Sequence, residues 1–264
     1  MSEATPLDAP KNELKAALKA GQPQCGLWMS GASALIARVA AGSGFDWYLL
    51  DGEHGPNTLT SYADQLNALQ GQNVVARVPQ GEDWIIKQLL DAGVQNLLVP
   101  MVHNANAAAH VVAACQYPPH GIRGVGAAQA TATDYGRRKA YTKTAGEELC
   151  IMVQIESQEG VSNVDSIATT DGVDVVFVGP ADLAADMGHI GNLKHPDVVA
   201  AVDHCFERIL AAGKTAGIVT FDPAGILPYL QKGVTFLGVG GDIASLANAL
   251  DALSATAAEA KNQI

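Results

Sequence analysis

Two carboxylates, Glu156 and Asp182, follow neighbouring apolar runs at residues 150–156 and 173–182. Each run is short, β-branched and non-alternating, as expected of a parallel strand buried on both faces. The polar stretch between them is long enough for one crossover helix. A right-handed crossover brings the ends of both strands to one edge of the sheet. Two acids converging there offer what a hard divalent cation needs, with no Cys or His set to favour structural zinc. Gln154 precedes Glu156 by two residues, so it points to the same side and adds an amide. A helix cap beginning near Leu183 would account for Asp182 alone. An ion pair with Arg77 would account for Glu156 alone. Neither explains two acids at one level.

Further polar groups cluster at other predicted strand ends. Asp51-Gly52-Glu53-His54 follows the second. A histidine flanked by acids can be held in one tautomer and act as a base near neutral pH. Arg77 ends the third strand, before Pro79. A buried arginine there must be paired, with Asp51 or Asp91 for example, or face a ligand. Arg123, in the turn-rich stretch Gly121-Ile-Arg-Gly-Val-Gly126, is a candidate anion binder or an ordinary surface arginine. His103, His110, His120, His189, His195 and His204 share no ligand spacing and are assigned to surface or packing roles.

The elements that must position these groups alternate along the chain. Strands are predicted at 25–29, 47–50, 74–78, 97–101, 150–156, 173–178, 216–220 and 236–239, with helical patterns such as 84–92 and 196–212 between them. Eight such alternations in 264 residues predict one (β/α)8 barrel domain over 1–264, with a short amphipathic helix at about 11–20 before it. A doubly wound sheet would place a glycine-rich fingerprint after its first strand. Ser30-Gly31-Ala32-Ser33 is not one. Residues 117–148 overextend the fourth βα unit and are expected to form a functional loop at the carboxyl face.

Composition narrows the function classes. A net charge of −11 argues against nucleic acid and anionic membranes as partners. No apolar run reaches the ~20 residues of a membrane span. Met1 to Lys19 lacks the apolar core of a signal peptide. The four cysteines show no CxxC spacing, which suits reduced thiols in a cytoplasmic protein.

Taken in order, the motifs resemble the HpcH/HpaI aldolase family. They are Leu49-Leu-Asp-Gly-Glu-His54, Ala76-Arg-Val-Pro79, Leu97-Leu-Val-Pro-Met-Val102 and Tyr117-Pro-Pro-His-Gly-Ile-Arg-Gly-Val-Gly126. They continue with Val153-Gln-Ile-Glu156, Gly172-Val-Asp174, Phe177-Val-Gly-Pro-Ala-Asp-Leu183 and Val239-Gly-Gly-Asp242. The resemblance covers residues 12–255. It implies a (β/α)8 barrel and a divalent-metal-dependent class II pyruvate aldolase, usually hexameric. Glu156 and Asp182 would hold Mg2+, Mn2+ or Co2+. Arg77 would face the enolate oxygen and His54 would be the base. Asp51 or Asp91, the latter from a neighbouring subunit, would orient His54. The backbone of Pro180, Ala181 and Asp182 would receive the carboxylate of a 2-oxo acid at a helix start, with Gln154 and Arg123 as further substrate contacts. The stripe Ile243, Leu246, Ala247, Leu250 and Leu253 suggests a terminal helix packed on a neighbouring subunit.

The expected reaction is reversible cleavage of a 4-hydroxy-2-oxo acid to pyruvate and an aldehyde. No lysine lies in a predicted strand, which favours a metal over a Schiff base. Thr131 stands where the family commonly has an arginine, so the aldehyde is left open. Two alternatives use the same barrel: a citrate-lyase β-type enzyme acting on an acyl-CoA thioester, with Arg137-Arg138-Lys139 as its only basic cluster, and a barrel that binds an oxo acid without turnover.

Overall fold

Eight parallel strands pair in chain order, and the eighth returns to the first to close a barrel. The computed structural model describes residues 8–263. Its strands are β1 (Gln24–Met29), β2 (Trp47–Asp51), β3 (Val74–Arg77), β4 (Asn96–Val99), β5 (Cys150–Ile155), β6 (Val175–Val178), β7 (Thr215–Val219) and β8 (Phe236–Gly241). The helices of the first half are α1 (Glu13–Lys19), α2 (Ala34–Ala40), α3 (Leu59–Ala68), α4 (Asp83–Ala92), α5 (Ala105–Cys115) and α6 (Tyr141–Thr144). Those of the second half are α7 (Gln158–Ser162), α8 (Val164–Ala168), α9 (Pro180–Asp186), α10 (Pro196–Ala211), α11 (Ile226–Gln231) and α12 (Asp242–Lys261). The expected (β/α)8 architecture is therefore present.

Burial at every position of β2 to β6 explains why these runs do not alternate. Inward side chains such as Leu49, Val75, Leu98, Met152 and Phe177 fill the barrel, and Trp47 stacks on Phe236 with ring centroids 4.2 Å apart. The helix before the first strand, α1, adds Leu14 and Leu18 to the same cluster and plugs the amino-terminal end. Burying each contributes about 1.5–3 kcal/mol. Asn12 caps α1 through the Lys15 amide, and its Nδ2 donates to Asn96 Oδ1 at the foot of β4.

The fourth strand ends two residues earlier than the sequence predicts, and the sixth ends where it predicts. β4 stops at Val99 because Pro100 has no N–H and Met101 turns into the left-handed region, at φ 55°. β6 stops at Val178, so Asp182 belongs to the first turn of α9 rather than to a strand.

The segment 117–148 is a correction of position. It follows α5 and precedes β5, so it connects a helix to a strand and lies toward the amino-terminal face. Ala9 N–H bonds Thr144 Oγ1, and Glu148 binds Lys11 and the Asn12 amide, tying it to the chain before α1. It is not a loop of the barrel mouth.

Candidate active site

Register sets the first part of the site. Asp51 and Arg77 are partners across β2 and β3, each at the carboxyl end of its strand. Arg77 Nε donates to Asp51 Oδ1 at 3.0 Å and Nη2 donates to Oδ2 at 2.7 Å, a bidentate pair buried from solvent. Its third nitrogen, Nη1, lies 2.6 Å from Glu53 Oε2. The guanidinium sits 5.0 Å from the Trp28 ring centroid, and Trp28 Nε1 donates to Asp51 Oδ2 at 3.1 Å. Tyr62 Oη and the Gly52 amide both donate to the Arg77 carbonyl, fixing the backbone below it. Arginine is thus held between two acids, and the N–H groups not given to Asp51 remain to face a ligand.

This arrangement corrects the expected role of Asp51. Its Oδ1 also accepts the amides of Glu53 and His54, at 3.0 and 3.2 Å, and Oδ2 receives the Ser30 hydroxyl at 3.4 Å. It fixes the His54 backbone but makes no hydrogen bond to the imidazole. His54 is exposed at the mouth. Burial alone would raise the Asp51 carboxyl, but the hydrogen bonds and charge of Arg77, the His54 amide and Trp28 hold it below its ordinary value.

The second part of the site is acidic. Glu156 directly follows β5 and is buried. The Met101 amide donates to its Oε1 at 2.6 Å, and Gln154 Nε2 donates to Oε2. Burial first, then the charges of Glu53 and Asp182, push Glu156 up from 4.5 to about 7. Burial also raises Glu53, with Asp51 and Asp182 adding to it and Arg77 opposing. Gly179, between β6 and α9, closes the cradle. A Cβ there would lie 2.6 Å from Glu156 Oε2 and 2.7 Å from Gln154 Nε2, so no side chain fits. Asp182 stands exposed in the first turn of α9 and makes no capping bond. The cap reading of Asp182 therefore fails, as does a Glu156–Arg77 pair, since Arg77 is bound to Asp51 and Glu53. The amides of Ala181 and Asp182 have no helical acceptor, while Pro180 at the first helical position has no N–H.

These residues suit a hard cation. Gln154 Oε1 is buried without a hydrogen-bond partner among the described residues, and three carboxyl groups, Glu53, Glu156 and Asp182, repel one another around it. Oxygen donors in that number match Mg2+ or Mn2+.

Two residues expected at the site lie elsewhere in the chain. Asp91 is on the last turn of α4, whose carboxyl end faces the amino-terminal side of the barrel. There Arg123 Nη2 donates to Asp91 Oδ1 at 2.7 Å, with the guanidinium 4.4 Å from the Tyr117 ring centroid. Arg123 is buried and cannot touch a substrate in its own barrel. Asp91 does not contact His54 of the same chain. Sequence reasoning also missed Trp28, which carries no polar pattern to mark it, and the Met101 amide, whose left-handed backbone is the only signal.

A model of the HpcH/HpaI aldolase/citrate lyase family matches residues 24–249. The chain is 49% identical over 251 residues to a hydroxypyruvate/pyruvate aldolase of Agrobacterium fabrum, covering 94% of each protein. It is 47% identical over 254 residues to a 4-hydroxy-2-oxo-heptane-1,7-dioate aldolase of Salmonella dublin, covering 96% of this chain and 97% of that one. A crystal structure of an HpcH/HpaI aldolase/citrate lyase family protein from Burkholderia cenocepacia superposes with a TM-score of 0.90 at 38% identity, covering 93% of this chain and 99% of the other.

Proposed function

The chain belongs to the HpcH/HpaI aldolase/citrate lyase family, and on that premise we propose that it is a class II pyruvate aldolase, a carbon–carbon lyase that reversibly cleaves 4-hydroxy-2-oxo acids to pyruvate and an aldehyde. The observation that carries this reading is the convergence of the Glu156–Gln154 cradle with the Asp51–Arg77–Glu53 cluster at one barrel mouth. Glu156 and Asp182 would hold a divalent cation, Mg2+, Mn2+ or Co2+, which supplies polarisation of the 2-oxo group.

The chain's own residues account for the remaining needs. The amides of Ala181 and Asp182, at the start of α9, receive the 2-oxo acid's carboxylate. His54 takes the proton of the 4-hydroxyl. The C3–C4 bond then breaks, the aldehyde departs, and the electron pair spreads onto C3 and the C2 oxygen as an enolate. The free N–H groups of Arg77 stabilise that oxygen, and their geometry is fixed in advance by Asp51 and Glu53. Transfer of the proton held on His54 to C3, directly or through water, completes pyruvate and restores the base. Asp91 is a partner for His54 only from another subunit.

The acyl-CoA alternative loses its basic rim. Arg137 pairs with Asp134 and Arg138 donates to the Asp8 carbonyl, both on the amino-terminal side. Binding without turnover leaves unexplained an arginine braced by two acids. Assembly into a hexamer is supported by α12, of which no residue is buried and whose Leu246, Leu250 and Leu253 are at least half exposed. Among the described residues, no helix is long and apolar enough to cross a membrane.

The test is pyruvate release from a panel of 4-hydroxy-2-oxo acids with added Mn2+. Turnover that ceases on chelation is expected. Turnover that survives exhaustive chelation, or a covalent adduct trapped by borohydride, would overturn the reading.

A further inference from the structure

The connection between α9 and α10 doubles back and gathers three side chains outside the site described above. Asp197 Oδ2 lies 3.8 Å from His189 Nε2 and 3.7 Å from His195 Nδ1. One ligand atom from each of the three residues falls within 4.8 Å of the other two. The carboxylate oxygen is nearly equidistant from two ring nitrogens, and neither separation is a hydrogen bond. His195 is the N-cap of α10, and its Nδ1 accepts the Asp197 amide at 3.3 Å. An ion at Nδ1 would have to take the lone pair that now accepts this amide.

From this cluster we infer that His189, His195 and Asp197 form a second cation site, for a transition-metal ion such as Zn2+, Ni2+ or Co2+. Two imidazoles and one carboxylate are the ligand set of a borderline cation with a position left open for water. The set differs in kind from the oxygen-only donors around Glu156. A tetrahedral ion with bonds of about 2.0–2.1 Å spaces its ligand atoms about 3.3 Å apart. The 3.7 and 3.8 Å separations found here are about 0.4 Å wider.

A second rearrangement is also required. The two rings are stacked, with centroids 3.5 Å apart and planes 13° from parallel, so their lone pairs run side by side and must splay to meet at one ion. The loop supplies that freedom. Gly188 and Gly191 flank His189 and Ile190 at φ +81° and +77°, and a Cβ at either would meet nothing within 4 Å. An occupant would pin residues 189–195 to the start of α10. The same loop leaves α9, the helix that carries Asp182.

Zn2+ bound per chain, measured by equilibrium dialysis of the full-length protein, is expected to be one higher in the wild type than in His189→Ala. The difference isolates this site whether or not Zn2+ also enters at Glu156 and Asp182. Asp197→Asn alters a side chain that is 69% exposed, so the fold is kept, and it is expected to weaken the same ion at least tenfold. Bound Co2+ should give a visible ligand-field spectrum with nitrogen ligation in the wild type that His189→Ala lacks. Unchanged Zn2+ binding in either variant overturns the site.

Discussion

Asp51 grips Arg77 through two parallel hydrogen bonds, 3.0 and 2.7 Å long, across the β2–β3 ladder, in a pocket where each residue is at most 5% exposed. Both groups are charged, and each is the other's main compensation. Removing the arginine strands a buried carboxylate, which typically costs about 3–5 kcal/mol. Arg77→Ala is therefore expected to lose stability as well as turnover, as read from urea unfolding beside a pyruvate assay. Arg77→Lys keeps the charge but not the fork and should retain more stability than activity. Equal unfolding midpoints for Arg77→Ala and the wild type would remove the structural half of this account.

His54 carries no such burden. It is exposed, and its ring makes no hydrogen bond among the described residues. His54→Ala should leave unfolding and Mn2+ affinity unchanged while lowering kcat by about 10²–10⁴, the usual worth of a positioned base. Near-normal kcat in this variant would place the base elsewhere.

The Glu156 carboxyl, at about 7 in the cation-free protein, makes two signed predictions. Its folded value lies above its ordinary 4.5, so the folded state binds more protons between those values, and its contribution to stability falls as pH rises from about 4.5 to 7. A cation must displace that proton. Mn2+ affinity should rise about tenfold per pH unit below 7 and level off above it, releasing a proton on binding. Isothermal titration in buffers of different ionisation enthalpy measures both. A flat affinity from pH 5.5 to 8 would mean that Glu156 is not a ligand.

Chelation by EDTA should abolish pyruvate release, and Mn2+ or Co2+ should restore it. Glu156→Gln and Asp182→Asn should behave like the chelated protein, with added metal giving no rescue. The two variants test different surroundings, because Glu156 is buried and Asp182 is exposed.

Leu250→Asp places a charge on the apolar stripe of α12, where Leu250 is 56% exposed and no residue of the helix is buried. Light scattering should show a six-chain wild type and a smaller species for the variant. A monomeric wild type at micromolar concentration would rule out the assembly and any role of Asp91 across an interface.

The barrel was legible because its strands are buried on both faces, and such runs stand out from amphipathic helices without any alignment. Glu156 and Gln154 were legible for the same reason, as polar residues at the end of an apolar run, while Asp182 lies beyond its run, in the first turn of α9. What was not legible was pairing. Asp51 could serve His54, three residues along, or Arg77, 26 residues away, and only the β2–β3 register decides for Arg77. Arg123 was misplaced because the alanine-rich α5 carries little amphipathic signal, so the long segment after it passed for a strand-to-helix loop. His189 and His195 share no helical spacing, and a loop with two left-handed glycines brings their rings into contact.

With the longest irregular segment committed to the amino-terminal face, the mouth is rimmed by short connections: two residues between β5 and α7, one between β6 and α9, none between β8 and α12. Among the described residues no strand-to-helix connection at the mouth exceeds seven residues, which is short for a lid that would shut out water or grip the far end of a substrate. On the proposed reaction the reacting carbons would be held at the 2-oxo acid end, with few described residues to grip the aldehyde end. Such an enzyme should accept acceptors of varied length with similar turnover, and any narrowness it shows must be contributed by a neighbouring protomer.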